Sequence, residues 1–305
     1  SGHKWLLVTC FGYLGYKNAR FGRIEAHEAV TAYGREALLR AKEAAEDLGF
    51  TVLHMYVDGL WVKKEAATEV SDFQPLLDAI LERTGLPVGL EGVYRWVAFL
   101  SSRQDDRVPV ANRYFGVFHD GSHKVRGVEL RRLDTPIFIL ETQQEMLDIM
   151  AEAPSADQLA GQLPSLYALL GRCLMALRSG RFRPEKLIVS QKLSRTLEEY
   201  RSPSPAARAA AQLAATGKIL RPGQRVRFIY TLGKPGVHAW DLPGTFDLAA
   251  VDVPRYITLL IRAASTVLQP LGVSELALRE RLLCGVIAIP RLPLPYLATR
   301  DAYRV

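Results

Sequence analysis

The stretch YVDGLWV, residues 56–62, is the part of the sequence that decides the expected fold of the first half of the chain. An Asp-Gly pair between two apolar runs is typical of a tight β-hairpin, because both turn positions favour residues that tolerate positive φ. The stretch predicts a hairpin with Asp58–Gly59 as its turn and Val57 facing Leu60. Because a carboxylate stands at the tip, the hairpin can also be interpreted as part of a metal site.

The sequence around this hairpin predicts an α+β first half. Apolar residues recur at helical spacing over 25–48, from Ala29 to Leu48, and Gly49 follows as a stop signal. Residues 4–16 predict an apolar helix broken near Gly12 and Gly15. A short helix over 75–84 and three further strands, the last two joined at His119–His123, complete the pattern.

The second half changes character, and the boundary is expected near residues 140–155. Only RVRFIYTL, residues 225–232, is strand-like, and the proline-rich tail 289–305 is expected to be irregular. Helices are predicted over 142–152, 155–178, 191–200, 204–216, 254–270 and 274–282.

Composition restricts the class of protein without naming a function. The chain has 305 residues, 49% of them hydrophobic, and a net charge of +7, which fits a polyanionic partner such as nucleic acid but does not require one. Three widely spaced cysteines without a C-x-x-C pair favour a reducing cytoplasm over zinc or disulfides. With no apolar run of about 18 residues, no membrane span is expected. The initial SGH is typical of a cloning remnant, so the sequence is expected to be a fragment.

Five short motifs follow one another in an order that resembles the family B DNA polymerases. The family's motifs are K-x-x-x-N-S-x-Y-G, T-x-x-G-R, Y-x-D-T-D-S, K-K-x-Y and G-L-E-x-x-R-R-D. The corresponding stretches here are KWLLVTCFG (4–12), TAYGREALL (31–39), YVDGLW (56–61), ANRYF (111–115) and GVELRRLD (127–134). With the helix, proline turn and P-G pattern after residue 193, the resemblance covers residues 4–272.

The resemblance implies an α+β fold in which a polymerase palm, with an antiparallel sheet and a carboxylate hairpin, precedes a mainly helical thumb. It divides the chain into 1–49, the end of the fingers and a palm helix, 50–140, the palm sheet, and 141–305, the thumb. The implied function is that of the C-terminal palm and thumb part of a DNA-directed DNA polymerase that binds primer–template DNA.

The resemblance also implies roles for individual residues. Asp58 is the implied catalytic residue and Mg²⁺ ligand, since paired carboxylates hold two magnesium ions in this chemistry. The implied nucleotide-binding residues are Lys4, Phe11 and Tyr56. The implied DNA-binding residues are Arg113, Tyr114, Lys124, Arg126, Arg132, Lys192 and Arg221.

Several positions depart from the family pattern. Leu60 stands where the hairpin has its second acid, and the family's other metal-binding aspartate lies in a motif upstream of residue 4. Val8, Phe11, Ala111 and Asn112 also differ from the family. This pattern resembles a branch with disrupted catalytic motifs that is found in archaea and some bacteria.

Mg²⁺ is therefore expected only in a completed site, where catalysis would depend on Asp58. Leu60→Asp is expected to raise activity unless the neighbouring pocket has repacked around the leucine.

Three hypotheses follow. The chain is a polymerase part completed by an upstream half on the same or another chain, or a non-catalytic DNA-binding scaffold for replication or repair, or a basic α+β protein unrelated to DNA. An upstream reading frame with the missing motif favours the first hypothesis. DNA binding without Mg²⁺ dependence favours the second, and the absence of DNA binding favours the third.

Overall fold

The computed structural model describes residues 2–65, 67–102, 108–284, 297–298 and 302–304. The helices are α1 (Gly2–Leu14), α2 (Ile24–Asp47), α3 (Gln74–Thr84), α4 (Ile137–Ala151), α5 (Leu163–Arg178), α6 (Pro205–Ala215), α7 (Val253–Leu268) and α8 (Glu275–Cys284). The strands are β1 (Thr51–Tyr56), β2 (Gly59–Lys63), β3 (Gly92–Ser101), β4 (Pro109–Phe118), β5 (His123–Arg126), β6 (Val189–Lys192), β7 (Arg225–Tyr230), β8 (Val237–Ala239), β9 (Leu297–Ala298) and β10 (Ala302–Arg304).

The chain forms two compact units. Unit 1 consists of residues 1–96, 118–120 and 298–305, and unit 2 consists of 97–117 and 121–297. Helices and antiparallel sheets occur together, which confirms the predicted α+β class. The division into 1–49, 50–140 and 141–305 stays a prediction, because compactness does not test a functional division.

Unit 1 is a sheet covered by helices. Its strand order is β1-β2-β10-β3, with β10 antiparallel to both of its neighbours. Leu60 and Val62 of β2 lie in one buried apolar cluster with Ala41, Ala44 and Ala45 of α2, and α3 contributes to the same cluster. Small alanines at helical spacing let α2 lie close to the sheet.

Only the C-terminal half of α2 has the core face that its pattern predicts. Val30 is 49% exposed and Tyr33 is 77% exposed, whereas the buried residues of this helix are Ala41, Ala44 and Ala45. The predicted break in the first helix at Gly12 is also wrong, because α1 continues to Leu14 before it ends. Glycine inside a helix costs free energy but does not by itself stop one.

The hairpin forms as predicted, but its turn lies one residue earlier. Tyr56 is opposite Gly59 and Met55 is opposite Leu60, so Val57 and Asp58 make the turn. The residue with positive φ is Val57, at 51°, which is an unfavourable conformation for a β-branched side chain. Backbone strain of this kind persists only where the surrounding structure compensates for its cost. Here the strand register that gives Val57 its positive φ also places Leu60 in the core.

Unit 2 contains strands β4 and β5, a second sheet of order β6-β7-β8, and helices α4 to α8. The helix predicted over 191–200 is wrong: residues 189–192 form β6, which pairs with β7, and only Leu197–Glu199 form a 3₁₀ turn. The expectation of a single strand there is also wrong, since β6 and β8 flank β7. The other predicted helices are confirmed, with the 155–178 stretch divided into a 3₁₀ segment and α5.

The predicted irregular tail is partly replaced by strands β9 and β10, while residues 285–296 lie outside the described part of the chain.

Among the described residues, no single helix has the length and apolar character to cross a membrane. The bent pair formed by 253–271 and 275–284 satisfies that test of length and composition when its two parts are taken together.

Candidate nucleic-acid interface and metal hairpin

The hairpin tip carries one carboxylate beside an apolar cavity. Asp58 is exposed, and its backbone N–H donates to the Tyr56 carbonyl at 2.7 Å. A cavity of about 370 Å³ lies next to the tip, between the hairpin, α2 and the end of α3. Its lining is apolar apart from Asp58 and Thr84, and Leu60 forms part of its wall. The tip therefore offers one acid, and the position that should carry the second acid belongs to the core.

The residues present do not fit a two-magnesium site. In the part of the chain that the structure describes, no three His, Cys, Asp or Glu side chains are grouped so that they could hold a metal ion. Magnesium requires near-octahedral oxygen coordination, which one carboxylate and a buried leucine do not supply. The predicted Mg²⁺ site is not formed by the described residues of this chain alone.

The implied nucleotide-binding residues lie on two different elements of unit 1. Lys4 is exposed on α1. Phe11, also on α1, stacks on the His27 ring of α2 with centroids 4.2 Å apart. Tyr56 ends β1 and is 37% exposed. Lys4 and Tyr56 are thus accessible to a ligand, Phe11 already has a ring partner, and the three roles stay predictions.

Two implied DNA-binding residues line one cavity in unit 2. Lys124 and Arg126 of β5 border a cavity of about 560 Å³ together with Arg131, from the 3₁₀ turn that follows. His123 also lines it, and its Nδ1 lies 3.5 Å from an Asp148 carboxylate oxygen. Three long cationic side chains around one opening favour an anionic ligand.

Arg113 and Tyr114 are held by the protein itself. The Arg113 Nε donates to the Gly127 carbonyl at 3.1 Å. Tyr114 is 2% exposed and its ring centroid lies 6.0 Å from that of Phe99. A direct contact between Tyr114 and a nucleic acid is therefore disfavoured by its burial, while a role in positioning β4 agrees with it.

Arg132 is fixed by a bidentate ion pair. Its Nε and Nη2 each lie 3.0 Å from an oxygen of Asp134. The hydrogen bond to Arg132 holds the pKa of Asp134 below its ordinary value, and the same bond raises the pKa of Arg132. Both side chains are partly exposed, so the pair contributes orientation more than stability. Lys192 and Arg221, the remaining two, are exposed on β6 and before β7.

A buried glutamine, which sequence reasoning missed, organises the segment around Arg131 and Arg132. Gln143 of α4 accepts from the Leu130 N–H at 2.6 Å and donates to a Glu129 carboxylate oxygen at 3.1 Å. It also donates to the Ala263 carbonyl of α7 at 2.9 Å. Thr266 is 3.3 Å from the other Glu129 oxygen. Ala263 lies 120 positions after Gln143 in the sequence, so no local pattern indicates this network.

Gln143→Leu is expected to lower the free energy of unfolding by about 2–4 kcal/mol, because it removes the acceptor of the partly buried Leu130 N–H and the amide donor to Glu129 and to the Ala263 carbonyl. Chemical denaturation followed by circular dichroism measures the change. The matched control is Gln144→Leu on the same helix, which is expected to change stability by less than about 1 kcal/mol because Gln144 is only half-buried. Equal losses for both variants would contradict the structural role of Gln143.

The comparisons with known proteins agree with this arrangement. The sequence model of DNA polymerase family B matches residues 111–265, which is 155 of the 305 residues. The match covers most of β4, all of β5, the Arg131 cavity and Gln143 with its partners Glu129, Leu130 and Ala263. The chain therefore belongs to DNA polymerase family B.

Three archaeal polymerases are similar to this chain in sequence or structure. DNA polymerase 2 of Aeropyrum pernix is 28% identical over 280 residues, which is 90% of this chain and 32% of that protein. DNA polymerase 2 of Saccharolobus solfataricus is 39% identical over 111 residues, 36% of this chain and 16% of that protein. The family B polymerase of Pyrobaculum calidifontis matches in structure with a TM-score of 0.61 at 26% identity, over 89% of this chain and 33% of that one. The chain spans about a third or less of the length of these relatives.

Proposed function

We propose that this chain is the palm and thumb part of a family B DNA polymerase and that it binds primer–template DNA. The observation that carries the proposal is the cationic cavity of Lys124, Arg126 and Arg131, which lies inside the part of the chain that matches the family. Phosphate contacts supply most of the affinity of such proteins, and they are made by lysine and arginine side chains on the surface.

The remaining implied contacts add further cations in unit 2. Lys192 and Arg221 are exposed, and Arg132 is held in one orientation by Asp134. Arg225 adds a cation near them, with its guanidinium fixed by the Ser190 and Leu133 carbonyls at 2.7 and 2.9 Å. Preorganised cations lose less side-chain entropy when they bind phosphate.

The catalytic part of the proposal is that the chain is degenerate or depends on an upstream half, on the same or another chain. The burial of Leu60 and the absence of a metal cluster among the described residues support it. In a completed site Asp58 would supply one Mg²⁺ ligand. The proposal includes membership in the branch of the family whose catalytic motifs are disrupted, and Leu60 at the position of the second hairpin acid supports it. A cytoplasmic location belongs to this proposal, because DNA is the proposed partner.

The alternative is a non-catalytic DNA-binding scaffold for replication or repair. The same lack of a metal cluster favours it, since one exposed acid at the hairpin tip does not require a catalytic role. DNA binding that is unchanged when Mg²⁺ is removed, with no activity after addition of an upstream half, would distinguish the scaffold from the incomplete enzyme.

DNA binding is expected to weaken steeply with salt. Each phosphate contact contributes about −0.9 to the slope of log affinity against log salt, so Arg126→Gln is expected to reduce that slope by about 0.9. Fluorescence anisotropy with a labelled primer–template duplex across a salt series measures it.

The matched control for that series is Arg40→Gln on α2, an exposed arginine paired with Glu36. It is expected to leave the slope unchanged. Binding that ignores salt, or the same slope in wild type and Arg126→Gln, would count against DNA contact at this cavity.

A further inference from the structure

A second cavity of unit 2 lies apart from the cationic cavity of Lys124, Arg126 and Arg131. It has a volume of about 500 Å³ and is formed by α4, α5 and the segment 181–186 that follows α5. The described lining residues of the two cavities do not overlap. Ligand pockets commonly have volumes of about 300–1,000 Å³, so this cavity has room for a ligand of nucleotide size.

Two aromatic rings from different elements line this second cavity. Phe138 lies in the first turn of α4, and Phe182 lies in the segment after α5. Both side chains are partly exposed, and neither packs against another aromatic ring of the described residues. Accessible aromatic rings stack on nucleobases of any kind, because every base has a π-face. The two rings therefore favour a ligand that carries a base.

The two carboxylates of the lining each have a cationic partner. A Glu141 oxygen lies 2.7 Å from Lys186 Nζ, and a Glu145 oxygen lies 3.4 Å from Arg172 Nη2. A paired carboxylate repels an anion less than a lone one, because the partner offsets its charge. The acids of this cavity therefore do not by themselves exclude an anionic ligand.

Two arginines of the segment after α5 add positive charge that no acid offsets. Arg181 and Arg183 are exposed, and neither pairs with a carboxylate of the described residues. Arg181 Nε donates to the Ser179 hydroxyl at 3.0 Å, which orients its guanidinium. Arginine binds phosphate through several N–H groups at once, so these two side chains favour a phosphate group.

The most buried part of the lining is polar but uncharged. Thr142 is 5% exposed, and its hydroxyl donates to the Phe138 carbonyl at 2.8 Å and lies 3.5 Å from Cys173 Sγ. Burial raises the pKa of the Cys173 thiol, so the thiol stays protonated at neutral pH. This wall therefore suits an uncharged base, whereas the exposed arginines suit a phosphate.

We propose that this cavity binds one nucleotide unit, with its base against Phe138 and Phe182 and its phosphate on Arg181 and Arg183. The unit is supplied by a free nucleoside phosphate or by an unpaired stretch of a DNA strand, since both present the same base and phosphate. The site goes beyond the proposed duplex contact, because it uses other residues and recognises a base that duplex pairing would hide.

Titration of the full chain with 2′-deoxyadenosine 5′-monophosphate tests the site by calorimetry. The nucleotide is expected to bind saturably. Deoxyadenosine and inorganic phosphate are each expected to bind about tenfold or more weakly, because each makes only part of the contacts. Inorganic phosphate that binds as tightly as the nucleotide would overturn the recognition of a base.

Substitutions in the lining test the two kinds of contact. Arg183→Gln is expected to weaken nucleotide binding about tenfold, because it removes a charged donor to phosphate. Phe182→Leu is expected to weaken it about fivefold or more through loss of stacking. The matched control is Arg178→Gln, an exposed arginine at the end of α5 outside the cavity lining, which should keep wild-type affinity. Wild-type affinity in Arg183→Gln, or an equal loss in Arg178→Gln, would overturn the proposal.

The three cysteines report where the nucleotide lies. Cys173 lines the cavity, whereas Cys10 and Cys284 are exposed elsewhere. With the nucleotide at about ten times its Kd, alkylation of Cys173 by iodoacetamide is expected to slow about tenfold, while the other two cysteines react at unchanged rates. Mass spectrometry of the peptides measures each rate. Alkylation of Cys173 that ignores a bound nucleotide would overturn the location, even if a variant fails to fold.

The same protection distinguishes the two sources of the nucleotide. A single-stranded oligodeoxyadenylate of about eight nucleotides, which is within the usual range of single-strand sites, is compared with the free monophosphate. Protection of Cys173 by the oligonucleotide that is lost in Arg183→Gln assigns the unpaired strand, and protection by the monophosphate alone assigns the free nucleotide. Protection by neither would overturn the proposal. Affinity for the primer–template duplex is measured separately, so its failure would contradict the proposed function and leave this site standing.

Discussion

In a primer-extension assay with Mg²⁺ or Mn²⁺, this chain alone is expected to add no nucleotide to a primer above the background of a mock purification. Nucleotide transfer by the two-metal route requires two ions that hold the attacking and the leaving oxygen. The hairpin supplies Asp58 as its single acid, Leu60 is buried, and no metal-binding cluster occurs within the described residues. The measurement is gel-resolved extension of a labelled primer at nucleotide concentrations up to the millimolar range.

Asp58→Asn separates background from residual catalysis in that assay. Asparagine keeps the shape of the turn residue and removes its charge, so the variant is expected to match the wild-type chain when each is tested alone. If addition of an upstream half generates activity, the same substitution is expected to lower the single-turnover rate by about a hundredfold. Template-directed incorporation by the isolated wild type that Asp58→Asn abolishes would contradict the expectation, because the chain would then hold its metal without help.

The elements that the sequence predicted well are those whose signal is local. Helix α2 has alanines at helical spacing and ends before Gly49, and α3 ends at Thr84, followed by Gly85, which adopts positive φ. The hairpin was also visible, but its turn was placed one residue late. The Asp58–Gly59 pair favours a turn at those two residues. The observed register has its turn at Val57–Asp58 and buries Leu60 and Val62, so core packing outweighs the local turn preference.

The elements that the sequence did not predict depend on distant partners. Strand β6 becomes a strand because Val189 pairs with Phe228, 39 positions later, and β10 pairs with strands about 210 and 240 residues before it. The candidate site shows the same limit. Asp58, Lys124 and Arg126 could be selected from motifs, but Arg131 joined the cavity, and Gln143 the network beneath it, only through the fold.

Leu60→Asp is expected to lower the free energy of unfolding at pH 7 by about 3–5 kcal/mol, a cost typical of an uncompensated charge in a packed core. Leu60 is 3% exposed and belongs to the cluster with Ala41, Ala44 and Ala45 of α2. The substitution removes apolar contacts and buries a carboxylate. Leu60→Asp was expected to raise activity only if the neighbouring pocket had not repacked around the leucine. Leu60 is buried in the core cluster, so that condition is not met.

Matched substitutions and pH separate the two costs of Leu60→Asp. Leu60→Met is expected to cost less than about 1.5 kcal/mol, since it nearly conserves volume, and Leu60→Asn removes the same contacts without a charge.

Burial raises the pKa of the introduced carboxyl above its unfolded value, so the charge penalty is fully present above the folded pKa. It is relieved as pH falls through that value, and the stability gap between Leu60→Asp and Leu60→Asn should narrow from pH 7 towards pH 4. A Leu60→Asp chain as stable as Leu60→Met at pH 7 would mean that the new side chain reaches solvent. An aspartate at position 60 could then contribute to a metal site. If Leu60→Asp instead loses stability as expected, restoring the metal site requires a change in the packing of α2 against β2 in addition to the acid.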